Sequence, residues 1–397
     1  MAQVYRGAAL TLSASYASAD SEGFLKHRPL LHSTVKITSS SGQSAEIYLA
    51  DRSQLMENWP WAGPECNVIP PLDTRGWCLQ ECYLSNRQLK FLNTKILWSC
   101  RDMDFDEGMS DRLEGALVIR GTGKHFTYLF RGIQKPRHRS MSLLTPYSSW
   151  YNMVSEFSRR SLTFASDVLP ALSGLAYEVA IHDNGKYCAG VWWEDIAFGL
   201  CWKKSETLKP ASGSNGYIAP SWSWASVIGP VEFVNSKDVM YQHTPITVPT
   251  QVLFHDFWIQ NPGSNPYGQV DDACIKLDAP FISLQGKNKN TLCIPAIVSS
   301  GGRIEITFDF EEDKQRDNLS ALFLLRRLPH IITSDNEEVM LFGLVICPVS
   351  SPSQNYGHLE VEVTTRFYER VGFIQIWISL NEECKYWETP NNFIILV

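Results

Sequence analysis

Cysteine and histidine are the residue types in this chain that could act together as nucleophile and general base. A thiolate attacks an electrophilic carbon when a neighbouring imidazole takes its proton, and the two residues can be far apart in the sequence. The candidate nucleophiles are Cys78, Cys82 and Cys188, and the candidate bases are His125, His138 and His182. The spacing does not distinguish such pairs from core thiols and surface histidines, and we favour the second interpretation.

Metal and cofactor chemistry has little support in the sequence. Cys78 and Cys82 lie four residues apart and would share one face of a helix, but a zinc site needs two further ligands. The ten cysteines are scattered, mostly within apolar runs, so we expect reduced thiols and no metal. Phosphate-loop, nucleophile-elbow and His-Glu-x-x-His motifs are absent, and Gly121-Thr122-Gly123 lacks the third glycine of a dinucleotide site. We therefore predict no cofactor.

Two groups of charged residues could bind an anion or form part of a site. One is a basic cluster that could hold a phosphate or a carboxylate, although a solvated loop is the interpretation we favour. Its members are Arg131, Lys135, Arg137 and Arg139. The other places Glu81 between Arg75 and Arg87, where a carboxylate beside guanidinium groups stays ionised. Here we favour a buried structural ion pair over a site.

Composition narrows the class of protein. The chain has 397 residues, of which 44% are hydrophobic and 13 are Trp, and this excludes a disordered chain. The net charge of −7 is spread along the sequence without a basic domain, which argues against nucleic-acid binding. No apolar run reaches the length of a membrane span, and the first twelve residues lack the layout of a secretory signal. We therefore expect a cytoplasmic protein.

The elements that would position these residues follow from apolar spacing. Segment 35–38 and segment 45–49 read as a β-hairpin, and residues 102–107 read as an acidic loop. Helical spacing, with Asp73 or Thr74 as the first N-cap and Asp167 as a later one, predicts helices at 74–84, 146–163, 167–181 and 192–202. Strand-like runs follow at 222–227, 273–277, 304–308, 321–325, 339–346, 359–363 and 373–378.

The segment Arg75-Gly76-Trp77-Cys78-Leu79-Gln80-Glu81-Cys82-Tyr83-Leu84-Ser85-Asn86-Arg87 resembles a signature of fungal heterokaryon-incompatibility (HET) domains, "R-x-W-x-x-Q-E-x-x-L-S-x-R". The signature positions, which carry no assigned role, are Arg75, Trp77, Gln80, Glu81, Ser85 and Arg87. The likeness extends over residues 1 to about 230 and a terminal piece. Further similar segments lie at 1–14, 23–25, 98–100, 161–163, 167–176, 189–192, 219–226 and 368–372.

Helical patterns concentrated between residues 73 and 202, followed by strand-like runs after residue 217, predict an α+β chain. Together with the resemblance, this division gives three expected parts. These are a remnant of a Toll/interleukin-receptor-like α/β HET domain at 1–105, a mainly helical middle region at 106–212 and a β-rich C-terminal domain at 213–397. The family's opening "L-S-Y-x-W-G" and "I-D-x-x-C-I-x-Q" motifs are absent, so we expect the first half of the HET domain to be missing. Any NAD hydrolysis would draw on that half and is not expected here.

The function that the resemblance implies is self/non-self recognition in a fungus, in a non-catalytic or partner-binding form. An unpaired sheet edge would then be covered by a protein partner, or the sheet would be rearranged and closed. The alternative is an enzyme or accessory protein of a fungal secondary metabolic pathway built on the same scaffold.

Overall fold

The computed structural model describes most of the chain in two compact units, Met1–Ser142 and Leu143–Val397. The described residues are 1–25, 32–50, 69–93, 95–100, 104–106, 146–205, 209–210, 217–234, 246–288, 291–294, 297, 301–328, 337–349, 366–381, 383 and 392–397. Both units contain helices and strands, and strands predominate, so the predicted α+β class is confirmed. The division at 1–105, 106–212 and 213–397 stays a prediction.

Within the described ranges, every helix is too short or too polar to cross a bilayer.

The first unit is built on a four-stranded sheet with the order β1-β4-β5-β6. Strand β1 is parallel to β4, and the other neighbours are antiparallel. A separate hairpin, β2–β3, confirms the predicted one. The elements are α1 Ala2–Gly7, β1 Thr11–Ser13, β2 His32–Thr38, β3 Ser44–Ala50, α2 Gly76–Leu84, β4 Arg87–Phe91, β5 Ile96–Cys100 and β6 Asp104–Asp106.

Two sequence predictions in this unit were wrong in detail. Helix α2 begins at Gly76 after a 3₁₀ turn, Pro71–Thr74, and its N-cap is Arg75 rather than Asp73 or Thr74. The Asp73 carboxylate instead accepts a hydrogen bond from Lys90 Nζ at 2.5 Å. The acidic segment contains strand β6, because Phe105 pairs with Trp98 of β5.

The second unit carries the larger sheet and most of the helices. The helices are α3 Pro146–Phe157, α4 Ser173–Asp183 and α5 Ile196–Leu200. The shorter strands are β7 Tyr187–Cys188, β8 Val191–Trp192, β9 Trp202–Lys204, β10 Lys209–Pro210, β11 Val227–Ile228, β12 Val231–Phe233, β13 Ile246–Thr247, β16 Phe281–Ser283, β17 Gln285–Asn288 and β18 Thr291–Cys293. The longer strands are β14 Leu253–Gln260, β15 Asp272–Ala279, β19 Arg303–Phe308, β20 Ser320–Arg327, β21 Glu338–Val349, β22 Arg366–Ser379 and β23 Asn392–Leu396.

A nine-stranded sheet supports this unit. Its main order is β13-β20-β21-β22-β23-β15-β14, with β16 beside β20 and β19 beside β22. The pairing of β22 with β23 is parallel and the others are antiparallel. Strands β20 and β21 are buried along most of their length, which matches their unbroken apolar sequence. The strands predicted at 273–277, 304–308, 321–325, 339–346 and 373–378 are confirmed, and 359–363 lies outside the described residues.

Four of the predicted elements in this unit were too long or of the wrong type. The helix predicted at 146–163 ends at Phe157. Two 3₁₀ turns replace the start of the helix at 167–181, because Pro170 lacks an N–H and its ring obstructs a preceding helical turn. The helix at 192–202 shrinks to α5, since strand pairs take up both ends. The strand at 222–227 is instead a 3₁₀ turn, because Ser223 Oγ accepts from the Ala225 N–H and caps it.

Two tryptophans converge on one carbonyl at the centre of the second unit. The indole N–H groups of Trp150 and Trp224 donate to Gly190 O at 2.9 and 2.8 Å. Gly190 has φ of 103°, and a Cβ there would lie 2.6 Å from the Trp224 Nε1 atom, so glycine is required at this position. The Ser223 hydroxyl adds a bond to Ala189 O. These contacts join segments 34 to 40 residues apart.

Arg370 of β22 is a buried charge with several hydrogen bonds. Its guanidinium donates to both oxygens of Asp309, at 3.0 and 3.2 Å, and to the main-chain oxygens of Leu200 and Trp202, each at 2.7 Å. The guanidinium carbon also lies 3.3 Å from the centre of a Trp202 ring. The Arg370 side chain has no exposed surface, so these bonds replace its hydration.

Replacing Arg370 with methionine is expected to destabilise the second unit by about 3–5 kcal/mol, because the Asp309 carboxylate would stay buried without its partner. Urea unfolding followed by tryptophan fluorescence measures the change. Arg366→Met, at an exposed position on the same strand, is the matched control and should change stability by less than about 0.5 kcal/mol. Equal losses in the two variants would contradict the assigned role of Arg370.

Candidate functional site

Helix α2, which carries the signature positions, lines a cleft of about 60 Å³ in the first unit. The other walls come from α1, β1, the turn Pro71–Thr74 and β4, so the cleft lies where the helix meets the parallel strand pair. The lining residues are Tyr5, Thr11, Leu12, Ser13, Leu72, Asp73, Cys78, Glu81, Cys82 and Gln88. The cleft therefore brings together one signature carboxylate and two of the candidate nucleophiles.

Glu81 and Tyr5 interact within this cleft. Burial, followed by the charge of Glu81 and a hydrogen bond to its carboxylate, raises the pKa of Tyr5 to about 12. The phenol therefore remains a hydrogen-bond donor across the physiological pH range. Glu81 is half-exposed and faces the cleft, rather than being sealed beneath Trp77 and Trp98.

Buried polar side chains fix the position of α2 against the sheet. Ser85, which is 2% exposed, hydrogen-bonds to Thr11 Oγ1 at 2.8 Å and to Glu81 O at 2.7 Å. Cys82 Sγ donates to Gln88 Oε1 at 3.2 Å. The helix is thus attached to both β1 and β4.

The remaining signature residues lie outside the cleft. Arg75 and Arg87 are exposed, and Arg87 Nη1 lies 3.5 Å from Ala9 O. Gln80 is buried and Trp77 is half-buried. The structure therefore gives these four residues positions in the scaffold, and it places Glu81 alone of the signature set in the lining.

The other catalytic and metal-binding candidates have less support from their positions in the structure. Cys188 is fully buried in the second unit, and burial raises its pKa well above the usual range, which disfavours the thiolate that a nucleophile requires. His182 is exposed near the end of α4. No group of three or more His, Cys, Asp or Glu in the described part of the chain is arranged to hold a metal. Outside the described residues lie His125, His138, Arg131, Lys135, Arg137 and Arg139.

Sequence reasoning missed Tyr5, Thr11 and Gln88 as parts of the cleft. Tyr5 and Glu81 are 76 residues apart, and the parallel pairing of β1 with β4 brings them together. No local spacing reports a pairing of this kind, although the likeness of segment 1–14 to the same family was an indirect signal.

Comparison with family models, curated proteins and solved structures gave no match to this chain.

Tyr5→Phe is expected to reduce the loss of stability at alkaline pH. The pKa of Tyr5 is raised on folding, so the stabilisation by its neutral phenol is present below about pH 10 and is lost as pH rises towards about 12. Urea unfolding from about pH 9 to about pH 11 should show a smaller loss for Tyr5→Phe than for the parent chain.

Glu81→Gln is the companion variant, because it removes the charge but keeps the size of the side chain. This variant should lower the pKa of Tyr5. Its loss of unfolding free energy at alkaline pH should therefore be smaller than that of the parent chain and larger than that of Tyr5→Phe. Identical pH profiles for all three proteins would contradict the Tyr5–Glu81 interaction.

Proposed function

We propose that this chain is a HET-type protein of fungal self/non-self recognition that acts by binding a protein partner rather than by catalysis. The proposal begins from the sequence resemblance. It is supported by the way in which the resembling segments, which are far apart in the chain, contact one another within each unit.

In the first unit, the signature segment 75–87 contacts segment 1–14. Ser85 bonds to Thr11, Asn86 Nδ2 donates to Arg6 O at 2.6 Å, and β4 pairs in parallel with β1. These contacts cover sequence separations of more than 70 residues. The two resembling segments are thus parts of one structural feature of the first unit.

In the second unit, segments 189–192, 219–226 and 368–372 form one hydrogen-bonded group. Trp224 donates to Gly190 O, Ser223 donates to Ala189 O, and the Arg370 N–H donates to Ser221 Oγ at 2.9 Å. This observation carries the proposal, because three separate resemblances become one structural feature.

The size of the cleft favours partner binding over catalysis on a dinucleotide. Sites for drug-sized ligands and cofactors have volumes of about 300–1,000 Å³. The cleft beside Glu81, at about 60 Å³, has room for a few atoms. Cleavage of NAD at Glu81 would require this cleft to open several-fold.

A second candidate, an enzyme or accessory protein of a fungal secondary metabolic pathway, is favoured by one feature. Glu81 lies in one concave site with Cys78 and Cys82, so an acid or base and two thiols are close together. Arg75, which would complete an anion-binding arrangement, is not part of the lining. This makes catalysis the weaker of the two candidates.

Expression of the chain in fungal strains that differ in compatibility tests the proposal. A vital dye scores the death of fused cells, and purified chain is incubated with NAD in parallel. We expect the frequency of fused-cell death in at least one strain pairing to differ from the vector control. Glu81→Gln should have the same effect as the parent chain in that assay. Neither protein should consume NAD. Fused-cell death identical to the vector control in every pairing would contradict the proposal. NAD consumption abolished by Glu81→Gln would favour the enzyme.

A further inference from the structure

Two thiols on one face of a helix line the cleft beside Glu81. Cys78 and Cys82 both belong to α2, and both are reduced. Residues four apart in a helix lie on the same face, with about 5–6 Å between their Cβ atoms. Cys82 Sγ donates to Oε1 of Gln88, which lines the same cleft, and Cys78 is close enough to the Tyr5 phenol to interact with it electrostatically. Both side chains therefore face the cleft.

The spacing of the two thiols is unsuited to a disulfide between them. A disulfide needs Cβ atoms about 3.5–4.5 Å apart and a bond of about 2.05 Å between the sulfurs. The helical spacing places the Cβ atoms farther apart than this, so α2 would have to deform. A metal ion between two sulfurs, at roughly 2.3 Å from each, spans a wider gap. The undistorted helix can therefore present both sulfurs to one ion.

The number of thiols determines which ion fits. Soft thiolate ligands favour Cu(I), Zn²⁺ and iron–sulfur clusters. Structural zinc and iron–sulfur clusters take about four protein ligands. Among the described residues no group of three or more His, Cys, Asp or Glu is arranged to hold a metal. Cu(I) is stable between two thiolates in a linear arrangement, so it is the ion that this pair of side chains suits.

The charge and the size of the cleft also favour a small cation. Asp73 lines the cleft and is paired with Lys90 Nζ at 2.5 Å. The Glu81 carboxylate accepts a hydrogen bond from the phenol of Tyr5, which is neutral and so leaves the negative charge in place to attract a cation. The volume of about 60 Å³ is enough for a single ion, and half-buried Cys82 gives the ion a route from solvent.

We propose that Cys78 and Cys82 bind one Cu(I) ion between their sulfur atoms. Each thiol releases one proton as its Cu–S bond forms, and copper keeps its oxidation state. The hydrogen bond from Cys82 Sγ to Gln88 Oε1 is lost in this step, because a thiolate has no proton to donate. The site is separate from the proposed partner-binding function, so either proposal can fail while the other stands.

Titration of the reduced full chain with Cu(I), without oxygen and against a coloured Cu(I) chelator, tests the proposal. The parent chain should take up one Cu(I) ion from the chelator. Cys78→Ser and Cys82→Ser should each weaken this binding at least about 100-fold, since even the loss of a residue behind a metal ligand costs about 10–100-fold. Serine keeps the size of the side chain and a hydrogen-bond donor.

Cys100→Ser is the matched control for the two serine variants. Cys100 is a half-buried, reduced thiol of β5 in the same unit, and it is not part of the cleft lining. Its replacement should leave Cu(I) binding unchanged. A parent chain that takes up no Cu(I), or an equal loss of binding in all three variants, would overturn the proposal.

Two measurements on the parent chain apply even where a serine variant fails to fold. X-ray absorption of the one-to-one complex should show two sulfur neighbours of copper. Bound Cu(I) should also protect Cys78 and Cys82 from alkylation by iodoacetamide, as measured by peptide mass spectrometry, and leave Cys100 as reactive as before. A single sulfur neighbour, or protection of other cysteines in place of these two, would overturn the proposal.

Discussion

A buried guanidinium that must have all its hydrogen bonds satisfied is the constraint on which the second unit depends. Arg370 has no exposed side-chain surface, and an unpaired charge there would be strongly destabilising. Its partners come from the residue after β19, from the end of α5 and from the start of β9. Strand β22 can therefore occupy its position only when these three elements are also in position. The helical part of the unit is thereby fixed to the large sheet.

The carbonyl of Gly190 extends this constraint. It accepts from Trp150 and Trp224, and Trp202, which stacks on Arg370, donates to the Trp222 carbonyl at 2.9 Å. Trp150, Trp202 and Trp224 are thus each used twice, as apolar core and as hydrogen-bond donor. Because each indole has one N–H with a fixed direction, a tryptophan at these positions specifies which segments meet.

The sequence predicted the parts of the fold that local pattern decides. Apolar, β-branched runs predicted strands such as β20 and β21, and the hairpin at β2–β3 followed from its turn. Elements whose ends depend on contacts distant in sequence were predicted less well. The turn at Trp224–Ser226 is set by the Ser223 cap, and α5 is shortened by strand pairs with distant residues. The sequence placed Glu81, Cys78 and Cys82 on one helix, but it did not predict the cleft, and Tyr5 was not among the candidate residues.

The first unit combines a small polar cleft with several exposed apolar side chains near its beginning. The cleft is tied to the sheet by Ser85 and Cys82, and its carboxylate is paired with a phenol, so it is suited to holding α2 in place. The exposed side chains lie instead along α1 and β1. The second unit has a hydrogen-bonded framework of its own around Arg370 and Gly190.

Hydrogen exchange of the indole N–H groups, followed by NMR of the chain with ¹⁵N-labelled tryptophan, is the most direct measurement of the central constraint. Trp150, Trp202 and Trp224 should exchange only through cooperative opening, and Arg370→Met should increase all three rates by the same factor. Trp193, which is half-exposed, should exchange fast in both proteins. Independent exchange of the three buried indoles, or rates unchanged by Arg370→Met, would contradict the role of Arg370 as the group on which this unit depends.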